Sequence, residues 1–171
     1  MDNAELWLAE LAKHRHSGVA IDTQLLLLLW IGNFDRSLIG RFKRVKKYSE
    51  TDFDLLAGLV ARCPKLVTTP NVLTELSNWA GQLPEDLVEE FREEFRRAVA
   101  KLNERLFESV AVTQLDGFLR LGLADSTLIN LAKQDVLVLT DDHPLYQQLV
   151  ADNLPAINFT HVRTSAYGWQ T

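Results

Sequence analysis

The sequence predicts an α/β protein, three-layer α/β/α with a central, mostly parallel sheet. Three observations carry that expectation. Short apolar runs of strand length alternate along the chain with longer amphipathic stretches, prolines stand where helices should begin, and no apolar run is long enough to span a bilayer. At 171 residues, 47% of them hydrophobic, the chain has the size and composition of one domain with a substantial core.

The elements follow in order. A short amphipathic helix over Leu6 to Lys13 opens the chain, within an N-terminal extension of residues 1–17. Gly18 to Ile21 reads as a strand, Thr23 to Ile31 as a buried helix, and Asp52 to Ala61 as a further helix behind a basic segment. Lys65 to Thr68 is a second strand, and Pro70 starts the helix that carries Glu75. The clearest helix follows Pro84, over 85–107. Its apolar residues Leu87, Phe91, Phe95, Ala98, Leu102 and Leu106 trace one stripe, and acids crowd its first turn with bases later on. Pairs such as Glu93 and Arg97 are read as solvated. Ser109 to Thr113 is expected as a strand and Asp116 to Leu121 as a short helix. Asp125 opens a helix over Ser126 to Lys133, Val136 to Thr140 is a strong strand, Pro144 to Ala151 a helix, and Ala156 to Phe159 the last strand. Nothing repeats internally and no linker divides the chain, so residues 1–171 are expected to form one domain.

Composition narrows the function classes. A net charge of −5 argues against holding nucleic acid by bulk electrostatics. The densest basic segment, Arg41, Lys43, Arg44, Lys46 and Lys47 interleaved with Phe42, Val45 and Tyr48, is either a solvated helix face or a phosphate contact. The lone cysteine, Cys63, has no disulfide partner within the chain and reads as a packing residue. The acidic N-terminus lacks the form of a secretory signal, so a cytoplasmic location with no membrane partner is expected.

The most informative residues are acids in apolar company. Asp22 lies between Val19-Ala20-Ile21 and the run Leu25 to Trp30, with no Lys or Arg nearby in sequence. An ionised carboxylate buried there costs several kcal/mol or more without a partner, of the order of about a domain's whole stability. Glu75, Asp125 and the pair Asp141-Asp142 recur in similar surroundings. Each has an ordinary explanation: Asp22, Asp125 and Asp142 suit helix N-caps, and Glu75 an exposed helix face. Taken together they suggest more. In a parallel sheet, ligands collect at the carboxyl ends of the strands, and that edge gathers all four acidic positions. Mg²⁺ or Mn²⁺, with hard oxygen ligands, would relieve a cluster that the motifs give no cation.

On these segments the chain resembles the PIN domain nucleases. Val19-Ala20-Ile21-Asp22-Thr23, Thr69-Pro70-Asn71-Val72-Leu73-Thr74-Glu75-Leu76, Leu123-Ala124-Asp125-Ser126-Thr127-Leu128-Ile129 and Leu137-Val138-Leu139-Thr140-Asp141-Asp142 match the four acidic motifs in order, over about residues 18–160. The resemblance implies a PIN-like α/β/α domain in which Asp22, Glu75, Asp125 and Asp142 are the catalytic residues and hold one or two Mg²⁺ or Mn²⁺ ions to hydrolyse RNA, most often single-stranded. Its Thr-x-Asp pattern selects Asp142 over Asp141 as the ligand, with Thr140 orienting a water or a carboxylate and Asp141 and Thr23 in support. It further implies a toxin of a toxin–antitoxin module, with a cognate antitoxin protein and a homodimer as partners. The family usually has Asn two residues after the first Asp, whereas this chain has Gln24.

For this activity Arg41, Lys43, Arg44 and Lys47 are the candidate contacts to the phosphate backbone. Tyr48 and Trp79 are aromatics that would stack a base, with core packing the alternative for Trp79. His14 and His16 read as surface residues, and His143, ahead of Pro144, as a cap or a substrate contact. Two other functions stay open. One is a non-catalytic PIN-like module that binds RNA or protein; the other is an unrelated α/β phosphohydrolase with Asp22 as nucleophile.

Overall fold

The computed structural model describes residues 3–167, with only the backbone of residues 3–5. Five parallel strands form one sheet: β1 (Val19–Ile21), β2 (Leu66–Thr68), β3 (Asn103–Glu104), β4 (Leu137–Thr140) and β5 (Ala156–Asn158), in the order β3-β2-β1-β4-β5. The α/β class and the parallel sheet are as the alternating pattern predicts. Every residue of β1 and β4 is buried, which requires cover on both faces of the sheet and explains why these strands read as continuous apolar runs. β1 pairs with β2 through Val19↔Leu66 and with β4 through Val19↔Leu137 to Ile21↔Leu139. The strand order therefore reverses at β1, beside β4.

The helices are α1 (Asn3–Lys13), α2 (Thr23–Phe34), α3 (Glu50–Val60), α4 (Pro70–Ala80), α5 (Glu85–Val99), α6 (Ser109–Val112), α7 (Phe118–Ala132), α8 (His143–Ala151) and α9 (Phe159–Tyr167), with a 3-10 turn over Arg36–Leu38. None among the described residues is long and apolar enough to cross a membrane.

The hub of the core is α2. Leu25 to Leu29 and Ile31 are all buried, and α3, α4 and α5 pack around the helix. Such all-round apolarity belongs to a helix with neighbours on every side. Trp30 meets Phe95 and Phe34 meets Phe91 edge to face, at 5.0 and 5.5 Å between ring centres, so the stripe predicted on α5 is its seat on α2. Gly32 lets α3 approach, since a Cβ at that position would collide with the Phe53 ring.

Several boundaries differ from expectation. The helix predicted over 85–107 stops at Val99, and Leu106 is exposed. Two turn bonds close it, from the Lys101 and Leu102 amides to Ala98 and Val99. The chain then runs beside β2 as β3, with Val67↔Asn103 and Thr68↔Glu104 in register. The strand predicted over Ser109 to Thr113 is instead the helix α6, because Val112 alone of its valines finds the core while Val110 stays in solvent. The helices expected at Asp116 and Ser126 are both present, as the two halves of α7 on either side of the non-helical Gly122. His14, expected on the surface, is buried and its Nδ1 lies 2.9 Å from the Asp135 carbonyl, fastening α1 beneath the sheet. Cys63 is half-buried with its thiol pushed up to about 11 by burial, in keeping with a packing role.

Replacing Gly32 by alanine should cost about 1–3 kcal/mol through overpacking against Phe53. Thermal unfolding should register roughly a 3–8 °C fall in Tm. A variant as stable as wild type would mean that α3 is free to move away.

Candidate functional site

Where β1 and β4 end, the chain must turn upward from two adjacent strands at the point where the strand order reverses, and a crevice opens there. Asp22 follows β1 directly. Its backbone is extended while its Oδ1 accepts the Leu25 amide at 2.8 Å, which makes it the N-cap of α2. Its Oδ2 accepts the Thr140 hydroxyl and, at 3.1 Å, the Asp141 amide from the end of β4. One carboxylate thus ties β1, α2 and β4 together. Burial, and then the charge of Asp141, push it up to about 7 against the pull of those three bonds.

Asp142 has the same double character. It caps α8 through the Leu145 amide at 2.7 Å, and its own amide donates to Thr140 Oγ1 at 2.9 Å. The Thr140 hydroxyl therefore links the first acid to the last. Glu75, one turn and more into α4, is half-buried and accepts the Thr23 hydroxyl at 2.6 Å. Asp125 arrives by a different device. Gly122 has φ +81° and ψ −174°, a conformation closed to residues with a Cβ, and α7 changes direction there. Asp125 lies in the first turn beyond that kink. It makes no cap, contrary to the simplest reading of its position. Its carboxyl is pushed up to about 7, by burial first and then by the charges of Asp22, Asp142 and Glu75.

These four acids line one cleft of about 290 Å³, together with Thr23, Gln24, Lys47, Trp79, Asp141 and His143. All are hard oxygen donors suited to a divalent cation that retains water. Among the described residues, however, no group of three or more His, Cys, Asp or Glu side chains is placed to hold a metal ion. Asp22, Glu75, Asp125 and Asp142 are the residues whose chemistry suits a hard cation.

The cleft also contains relief that the sequence motifs hide. Lys47 Nζ lies 2.8 Å from Asp141 Oδ2, which accepts the Tyr48 hydroxyl as well, at 2.6 Å. Tyr48 is buried, its phenol held well above its usual range by burial and by Asp141, so it packs rather than stacking a base. Arg41 and Lys43 are exposed and do not line the cleft. Arg44 lies over the Trp79 ring at 4.9 Å, and Trp79 both packs on the core and faces the cleft. Gln24 lines the cleft and donates its side-chain amide to the Arg44 carbonyl. Its role was not legible beforehand, because its partner lies twenty residues away on a segment without regular structure.

Two carboxyls raised to about 7 fix the sign of a pH effect. The folded state keeps protons that the unfolded chain releases above about pH 4, so stability falls as pH rises from about 4 through 7. In EDTA at pH 8, Asp125→Asn should therefore raise Tm by at least about 2 °C, and the gain should vanish near pH 4. Calorimetry across that range decides it, and a destabilised variant at pH 8 would refute the electrostatic account of the cleft. No protein-family model matches this chain and no curated protein matches it, so any function must be read from the cleft itself.

Proposed function

We propose that the chain is a divalent-metal-dependent endoribonuclease of the PIN type, hydrolysing phosphodiester bonds of RNA, with Mg²⁺ or Mn²⁺ as cofactor. One observation carries the reading. Four carboxylates from four separate elements meet at the switch point of a parallel sheet, and Asp125 feels the other three as unrelieved negative charge.

Asp22, Asp125 and Asp142 would hold the ion, with Glu75 completing the set. Bound there, the cation supplies Lewis-acid activation of water and charge stabilisation at the scissile phosphate. The chain's own residues prepare that chemistry. Thr140 and the Asp141 amide fix the rotamer of Asp22, and the Leu145 amide fixes Asp142. Thr23 orients Glu75 so that its carboxylate can take a proton from the attacking water. The helix start at Asp22 adds backbone N–H groups to a site that must accept a phosphodiester.

A non-catalytic module that binds RNA is the second reading, favoured because no three of the described His, Cys, Asp or Glu side chains are grouped to hold a metal ion. A phosphohydrolase that uses Asp22 as nucleophile fits less well, since that carboxylate is 3% exposed and both its oxygens accept hydrogen bonds.

Cleavage of an end-labelled single-stranded RNA tests the choice. Wild type should cut in Mn²⁺ or Mg²⁺ and stop in EDTA. Asp22→Asn and Asp142→Asn should each lose at least about 100-fold in rate, the scale of removing one preorganised charge-stabilising group. Stabilisation by Mn²⁺ without any cutting would move the assignment to a binding module.

A further inference from the structure

The cleft presents a difficulty for an anionic substrate, and the basic segment answers it at one residue. After the 3-10 turn the chain runs through successive turns, closed by the Phe42, Val45 and Tyr48 amides onto Leu38, Phe42 and Val45. Leu38, Phe42, Val45 and Tyr48 face the core while the charged residues between them face out. Four contacts then fasten this segment beside the site. Gln24 holds the Arg44 carbonyl, Arg44 rests on Trp79 and donates to Gln82 at 3.1 Å, and Tyr48 donates to Asp141.

The outcome of that fastening is the position of Lys47. Among the described residues it is the one Lys or Arg lining the cleft, its side chain is 54% exposed, and its ammonium is held at 2.8 Å by Asp141, a side chain only 6% exposed. An ammonium has three donors. Asp141 engages it while solvent exposure leaves it accessible, so the carboxylate anchors the cation without consuming it.

We propose that Lys47 is the phosphate-positioning residue of this cleft, held in place by Asp141 and Tyr48, and that it contacts a backbone phosphate of a single-stranded RNA beside the scissile bond. The assignment rests on the nuclease reading for its substrate. It gives Asp141 a role separate from that of Asp142, as the anchor of a cation rather than a ligand. It also gives Gln24 a part, since its amide ties the start of α2 to the segment that carries Lys47.

The test is binding of a fluorescently labelled single-stranded oligoribonucleotide to the full chain in Ca²⁺, followed by anisotropy over a range of salt, beside cleavage kinetics in Mn²⁺. Lys47→Ala should bind about tenfold more weakly, with a salt slope smaller by about 0.7, the loss of one phosphate contact to a single strand. In cleavage, KM should rise and kcat should hold, and Lys47→Arg should restore binding. Lys46→Ala makes the same change of charge one residue away, outside the cleft, and should behave as wild type. Equal effects at Lys46 and Lys47 would overturn the proposal, because only bulk charge would then matter; so would a wild type that binds no RNA. Binding that depends on Lys47 without cleavage would sustain the phosphate contact and remove the nuclease assignment.

Discussion

Everything at the working edge of this protein depends on one buried carboxylate. Asp22 accepts an amide from α2, a hydroxyl from β4 and an amide from the turn after β4, and so closes the junction where the strand order reverses. Those three donors offset only part of the cost of burying the charge, since burial and Asp141 still raise the carboxyl to about 7. Thr140 extends the constraint by donating to Asp22 and accepting from Asp142. The alternatives of helix cap and functional acid are thus not exclusive. A carboxylate has several acceptor positions, and Asp22 and Asp142 use part of theirs on a cap while facing the cleft.

Much of the fold could be read from the chain because its signals are local. β1 and β4 are continuous apolar runs, α4 and α8 begin at prolines, and the stripe on α5 has helical period. The errors arise where tertiary contact decides. Leu102 still faces Trp30 and Phe34 of α2 although the helix has ended, while Leu106 continues the α5 pattern by chance and stands in solvent. Ser109 to Thr113 has strand-like composition but no free strand to pair with, as β3 has already taken the edge of β2. His14 is buried by a backbone carbonyl 121 residues away, which no window of sequence contains.

The site divides in the same way. Its acids were legible because charges in apolar surroundings are conspicuous. Its cation was legible only as one of four candidates, Arg41, Lys43, Arg44 and Lys47, because nothing local in that segment tells which of them the contacts of Gln24, Tyr48 and Trp79 bring to the cleft. The route of Asp125 into the cleft was equally hidden, since a glycine between two helical patterns marks the break between them but not the direction that the second helix takes.

The brevity of β3 has a consequence for how the molecule behaves among its own copies. A parallel sheet with a long, flat, apolar border invites further chains to add to it. Here the border is two residues, Asn103 and Glu104, both exposed and polar, followed at once by a chain that turns into α6. A strand so short offers too few free amides to template another. On this side the sheet ends in a short polar margin, and another copy of the chain has little ladder to extend there.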